Sequence, residues 1–318
     1  MKAVDSVLDL IGDTPLVKLD KIVGEGSADV FVKCEYFNPS GSLKDRIALE
    51  MIREAEREGK LEPGYTIIEA STGNTGTSLS FVGTLLGYRV VIYMPEGMTP
   101  ERIRLMESYG AEVHELKGEE ASESSSAAGA EVEIGTRMAC YEIEKSQPKI
   151  WWARQFSNPG NTRAHITTGR EILEQMDGRM DAFVASIGTG GTLYGIAKAL
   201  KEKLPDVRIV GAEPAGGRFP LSEGHRRVPG FGDEVTGGII KEMMESGLVD
   251  EVVPVTNEDA AAMHKRLARE EGIFCGVSSG ANVHLALQVA DELGPGKRVA
   301  TILHDSGDRY LTVKKYTT

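Results

Sequence analysis

Along most of this chain, short runs of apolar and β-branched residues end in a glycine-containing turn that leads straight into a helical repeat. Residues 66–70 run into Ser71-Thr72-Gly73-Asn74-Thr75-Gly76 and an apolar helix ending near Gly87. Residues 89–94 precede a helix opened by Thr99 and Pro100 and closed at Gly110. Residues 183–187 give way to Gly188-Thr189-Gly190-Gly191-Thr192 and a helix over residues 193–204. Further strand patterns lie at 30–34, 112–116, near Trp151 and Trp152, and at 207–210 and 298–303. Thr256 with Asp259 reads as a capping box opening a helix to Glu271, and residues 276–280 open another. Near-continuous apolar strands alternating with helices predict parallel sheets covered by helices, an α/β fold. At 318 residues and 41% hydrophobic, the chain can form roughly two such domains.

The formal net charge of -12, with no basic run to offset it, argues against nucleic-acid and anionic-membrane partners. No apolar stretch has the roughly 20 residues of a membrane span, and Asp5 and Asp9 interrupt the N-terminal apolar run, so the expectation is a cytoplasmic protein. Cys34, Cys140 and Cys275 are far apart and belong to no Cys/His cluster. They read as three buried thiols, with neither a disulfide framework nor a metal site.

One turn carries a chemically pointed residue. In Asn38-Pro39-Ser40-Gly41-Ser42-Leu43-Lys44-Asp45-Arg46 the small residues and proline make a turn, and Ile47, Met51, Ile52 and Ala55 then recur at helical spacing up to Gly59. Lys44 therefore lies in a first helical turn, where the helix dipole disfavours a cation and tends to lower the amine's pKa. An amine so placed can form a Schiff base with an aldehyde cofactor, although taken alone it reads more readily as a solvated surface lysine beside Asp45 and Arg46.

The two glycine turns supply anion cups. Gly188, Thr189, Gly190, Gly191 and Thr192 bring backbone N–H groups and a helix N-terminus to one place, which suits a phosphate, but they form neither a Walker motif nor a dinucleotide fingerprint. Ser71, Thr72, Asn74 and Thr75 add hydroxyls and an amide, which suits a carboxylate; an N-capping turn would use the same residues.

Taken in order, Asn-Pro-Ser-Gly-Ser-Leu-Lys-Asp-Arg, Ser-Thr-Gly-Asn-Thr-Gly, Gln-Phe-Ser-Asn-Pro-Gly-Asn, Gly-Thr-Gly-Gly-Thr and Gly-Val-Ser-Ser-Gly resemble the motifs of the cysteine synthase (O-acetylserine sulfhydrylase) family of fold type II pyridoxal-phosphate enzymes. The resemblance runs from Ile11 to Leu311. It implies two domains of the tryptophan synthase β type, each with a central mostly parallel sheet flanked by helices. Residues 45–150 would form a smaller substrate-binding domain that moves on closure, and 1–44 with 151–318 a larger cofactor-binding domain. It makes Lys44 the Schiff-base lysine and proton shuttle for pyridoxal 5'-phosphate, and gives the cofactor phosphate to Gly188, Thr189, Gly190, Gly191 and Thr192. By the same resemblance Asn74 meets the ring hydroxyl, Ser278 faces the pyridine nitrogen, and Ser71, Thr72, Thr75 and Gln155 hold the substrate carboxylate. A neutral serine cannot keep that nitrogen protonated as a carboxylate would, so the ring is a weaker electron sink, which favours prompt loss of a β substituent over transamination.

The implied reaction is β-replacement on an activated serine by sulfide, giving L-cysteine, in a homodimer to which a serine acetyltransferase tail can dock. A cystathionine β-synthase-like enzyme using homocysteine and a non-catalytic ligand-sensing relative are the alternatives. Asp13 stands where the family usually has asparagine, the Ser122 to Ser126 stretch is unusual within residues 119–133, which read as a mobile loop entering a helix, and the chain ends soon after Tyr310. The donor stays open between O-acetylserine and O-phosphoserine. Arg218, Arg226 and Arg227, in the Gly/Pro-rich residues 214–238, are suited to clamp a phosphate, or are surface arginines paired with Glu223, Asp233 or Glu234.

Overall fold

The strand and helix patterns resolve into two separate parallel sheets. In the computed structural model, residues 3–116, 127–216 and 237–311 are described; the Ser122 to Ser126 stretch, Arg218, Arg226 and Arg227 lie outside them. The described chain divides into two compact units: residues 3–43, 162–216 and 240–311 form one, and 44–116, 127–161 and 237–239 the other.

The first unit holds a six-stranded sheet made of β1 (Leu16–Lys18), β2 (Asp29–Cys34), β7 (Ala182–Ser186), β8 (Arg208–Pro214), β9 (Glu251–Val255) and β10 (Arg298–Leu303), in the order β1-β2-β10-β7-β8-β9. Only β1 runs antiparallel, pairing Val17 with Val32. Elsewhere the register is parallel, with Val299 opposite both Val30 and Ala182. Val30, Val32, Val184, Val210 and Val299 are buried with residues of α9 (Val277–Leu293), among them Val283, Ala286 and Val289. α6 (Gly191–Lys203) follows β7, and α7 (Gly238–Glu245) and α8 (Asn257–Arg266) flank β9 in sequence.

The second unit's four-stranded sheet is parallel throughout, in the order β5 (Glu112–Leu116), β4 (Arg89–Pro95), β3 (Thr66–Ala70), β6 (Ile150–Trp152). Every residue of β3 is buried, as a central strand between helices requires. The helices α1 (Lys44–Arg57), α2 (Asn74–Leu85), α3 (Pro100–Ser108) and α4 (Ala127–Ser146) belong to this unit, and α5 (Pro159–Gln175) follows β6. Ile68, Val91, Cys140 and Trp152 pack as one cluster.

Two elements had no clear signal. β9 lies at a sheet edge with only Val255 buried and carries Pro254, so it lacks both a buried run and clean alternation. α7 follows directly on the glycine-rich segment. The helix opened by Thr256 also departs from expectation: Thr256 Oγ accepts the Asp259 N–H at 3.0 Å and donates to the Asp259 carboxylate at 2.6 Å, so the cap is one-sided. That helix then relaxes into a π turn over Leu267–Glu271 and stops at Gly272, whose φ is +70°. All three cysteines are free and buried as expected, and burial pushes the Cys34 thiol up to about 11.

Candidate active site

The turn before Lys44 is clamped from both sides. Asn38 accepts the Gly12 N–H at 2.9 Å and donates to Glu35, whose other carboxylate oxygen takes a 2.6 Å hydrogen bond from Thr14. Gly41 has φ +84°, a left-handed conformation that suits glycine. Its carbonyl accepts the Ser306 N–H at 3.1 Å, and the Leu43 N–H donates to the His304 carbonyl at 2.9 Å. The Arg309 guanidinium donates to the Ser40 carbonyl. The segment just after β10 thus fixes the backbone up to the residue before Lys44. Lys44 is the first residue of α1, half-buried, and its neighbours Asp45 and Arg46 are buried. A lysine among solvated charges is not what the structure contains. Asp13 has φ +45°, which Asp tolerates as Asn does, so this departure from the family pattern is conformationally mild.

In the second unit, β3 delivers Ser71, Thr72, Asn74 and Thr75 to the mouth of α2. Ser71 Oγ accepts N–H groups from Gly76 at 2.9 Å and Gly73 at 3.3 Å, so it caps the turn and keeps one O–H to donate. Thr75 donates to Gln155 Oε1 at 2.6 Å, and Gln155 Nε2 donates to the Ala70 carbonyl at 3.1 Å. Thr75 and Gln155, 80 positions apart, are brought together; the Thr75 proton is committed to orienting the glutamine amide, which gives one of its two N–H groups to Ala70. Thr72 and Asn74 are half-buried.

Two residues that sequence reasoning passed over support this turn. Glu69 is fully buried and accepts three hydrogen bonds, from the Ala70 N–H at 2.8 Å, Trp152 Nε1 at 3.0 Å and the Gln155 N–H at 3.0 Å. Burial pushes its carboxyl up to about 7, partly offset by those donors and by Arg137. Arg102, in the first turn of α3, donates to the Thr72 carbonyl at 3.1 Å.

In the first unit, β7 feeds the turn Gly188 to Thr192 into α6. Gly190, the cap residue, has φ +87°, and no side chain caps the helix. A Cβ on Gly190 would sit 3.3 Å from the Ile240 backbone, whereas one on Gly188 would meet nothing within 4 Å. The turn has no acidic residue, and Thr189 and Thr192 are buried. Main-chain donors, two hydroxyls and a helix N-terminus without a carboxylate form a donor set that fits a phosphate dianion. Beneath it, buried His165 lies with Nε2 3.2 Å from Thr192 Oγ and Nδ1 3.2 Å from Thr168 Oγ. Asn282, buried on α9, accepts the Ser186 N–H at 2.7 Å and donates to the Ile302 carbonyl at 2.7 Å, joining the end of β7 to β10 one helical turn beyond Ser278. Ser278 itself is exposed at the start of α9, 3.2 Å from His304 Nδ1.

Two strand-to-helix turns with donor sets that fit anions, one of them a phosphate, and a lysine opening a third helix characterise this α/β protein. The chain belongs to the pyridoxal-phosphate dependent enzyme family, whose pattern it matches over residues 7–305, and its cofactor is pyridoxal 5'-phosphate. It is 43% identical to a cysteine synthase of Staphylococcus aureus (strain N315), over 99% of this chain and 98% of the relative. Among solved structures, the cysteine synthase (OASS) of Entamoeba histolytica superimposes with a TM-score of 0.85 at 35% identity, covering 100% of this chain and 92% of the other. A hydrogen sulfide-producing enzyme of Fusobacterium nucleatum gives 0.84 at 36% identity, covering 97% and 100%. No helix among the described residues is long and apolar enough to cross a membrane.

Proposed function

We propose that this protein is a cysteine synthase, a transferase that replaces the β substituent of an activated serine with sulfide to give L-cysteine. The reading is supported by the 43% identity over nearly the whole chain, and the geometric observation that carries it is the Thr75–Gln155 pair beside the hydroxyl-lined turn. Pyridoxal 5'-phosphate supplies an aldehyde for an amine and a ring that draws electron density from the substrate's Cα. Gly188, Thr189, Gly190, Gly191 and Thr192 would hold its phosphate, Asn74 would orient its ring hydroxyl, and Ser278 would donate to its ring nitrogen. Lys44 would hold the aldehyde end of the cofactor through Nζ and, once the substrate amine takes that place, would be the base for the Cα proton. The β substituent would leave with its bonding pair, hydrosulfide would form the new C–S bond at Cβ, and Lys44 would return the proton to Cα. Ser71, Thr72 and the free N–H of Gln155 hold the substrate carboxylate, with Thr75 fixing that amide.

The same reading assigns the unit containing residues 44–116 to the amino-acid substrate and the unit containing 162–216 to the cofactor phosphate. It extends to a cytoplasmic homodimer with a surface for a serine acetyltransferase tail. The test is direct: the purified protein with pyridoxal 5'-phosphate is given O-acetylserine or O-phosphoserine, then sulfide, and L-cysteine is assayed. Cysteine formation from at least one donor is expected, with slowed hydrogen exchange at residues 71–76 when an unreactive amino acid such as methionine binds. No cysteine from either donor would overturn the assignment.

A further inference from the structure

Ser278 Oγ and His304 Nδ1 lie 3.2 Å apart. The His304 backbone is fixed, because its N–H donates to Ser279 Oγ at 2.9 Å and its carbonyl accepts the Leu43 N–H at 2.9 Å. Its successor Asp305 bridges to Ser42, and the Gly276 N–H donates to the Asp305 carbonyl at 2.9 Å. The strand end carrying His304 is therefore tied to the helix start carrying Ser278 by the bonds to Ser279 Oγ and from the Gly276 N–H, and to the turn before Lys44 by Leu43 and Ser42.

A serine hydroxyl has one proton to donate, and a neutral imidazole has one nitrogen that donates and one that accepts. If His304 Nδ1 accepted, it would take the only Ser278 proton, and Oγ would turn a lone pair toward the unprotonated ring nitrogen. If Nδ1 carries the proton, it donates to Oγ and leaves the hydroxyl proton free. Which nitrogen holds the proton is set by the partners each one finds. We propose that His304, protonated on Nδ1, is a positioning residue that aims the Ser278 hydroxyl proton at the pyridine nitrogen of pyridoxal 5'-phosphate. This inference rests on the assignment of Ser278 made above. Its consequence is that ring polarisation is adjusted by an imidazole that never touches the ring.

Opposite substitutions test direction as well as proximity. His304→Asn places an amide N–H near the position of Nδ1, while His304→Asp offers acceptors alone. The readouts are the absorption maximum of the bound cofactor and its dissociation constant, together with histidine 15N chemical shifts of the full-length protein with and without pyridoxal 5'-phosphate. His304→Asp and His304→Ala are expected to shift the maximum and weaken the cofactor about 3- to 10-fold, as loss of one hydrogen bond implies, with His304→Asn close to the parent. The 15N shifts are expected to report a proton on Nδ1. Equal behaviour of Asn and Asp, or a proton on Nε2 alone, would overturn the proposal. Ser278→Ala separates the two levels: if it alters the cofactor's absorption while every His304 variant is silent, the imidazole has no role and the Ser278 assignment stands; if Ser278→Ala is itself silent, both fall.

Discussion

The two glycine turns look alike in sequence and differ in what lies under them. In the turn Ser71 to Gly76, side chains do the organising: Ser71 collects two backbone N–H groups, Thr75 orients Gln155, and a buried carboxylate, Glu69, holds the Gln155 backbone. In the turn Gly188 to Thr192 the backbone does it. Gly190 adopts φ +87°, no side chain caps the helix, and the support is an imidazole hydrogen-bonded between two threonines. A dianion needs many donors and no nearby negative charge, whereas an amino-acid carboxylate needs a few oriented donors that recognise one geometry. The first turn should therefore fail in a graded way when side chains are trimmed, and the second should fail when its backbone is disturbed.

In the proposed function both turns depend on Lys44 for the chemistry, so its loss sets the upper limit of damage. Lys44→Ala is expected to lower turnover at least about 1000-fold, since no other group in a matching position supplies the amine. Steady-state rates with pyridoxal 5'-phosphate in excess check this, and a variant keeping a tenth of parental turnover would remove Lys44 from the mechanism and leave the comparison of turns without a function.

The comparison itself is broken or sharpened by a crossed pair. Gly190→Val forces a β-branched residue into a left-handed conformation and drives its side chain against Ile240; cofactor affinity should fall about 100-fold, from strain of 1–2 kcal/mol with displaced N–H donors added. Thr75→Val releases the Gln155 amide and should leave cofactor affinity within about twofold. It should raise the KM for the amino-acid donor about 10-fold, one hydrogen bond to a charged group being worth roughly 1.5–3 kcal/mol. Fluorescence titration with pyridoxal 5'-phosphate and donor kinetics on both variants decide it. If Thr75→Val loses cofactor as badly as Gly190→Val does, the two turns do not divide the work in this way.

The sequence made the rhythm of the fold readable because the central strands are buried on both faces and their turns carry glycine. β3 and β10 are the clearest cases, and β9, a half-exposed edge strand with Pro254, is the converse. Lys44, Asn74 and the Gly188 to Thr192 turn were legible because local order alone places them at helix mouths. The supporting layer was not. Glu69 reads as one polar residue in a strand, and nothing nearby announces that Trp152 and Gln155, more than 80 positions away, will donate to it. His165, Asn282 and His304 are hidden for the same reason: their partners are set by packing between elements. A polar residue inside an otherwise apolar strand, as Glu69 is in Thr66–Ala70, was the one available signal.

The smallest expected effect concerns that carboxylate, and it separates the turns by their response to pH. Glu69 has its pKa raised by burial from 4.5 to about 7 in the folded protein, so the native state binds a proton there more tightly than the unfolded chain. Its contribution to stability is thus fully present below about pH 4.5 and is lost as pH rises through about 7, a swing of up to about 3 kcal/mol at 1.36 kcal/mol per unit. Glu69→Gln cannot titrate. Its oxygen can still accept from Ala70 and Trp152, but its NH2 would face the Gln155 N–H, so the variant loses one hydrogen bond and gains a flatter pH profile. Thermal unfolding at pH 5 and pH 8 measures both: the parent should lose several degrees more than Glu69→Gln across that interval, while the variant's donor KM rises a few-fold through the loosened Gln155. Parallel pH profiles for the two proteins would mean that Glu69 is already ionised at pH 5, held so by its three donors and Arg137, and that the first turn rests on a fixed charge.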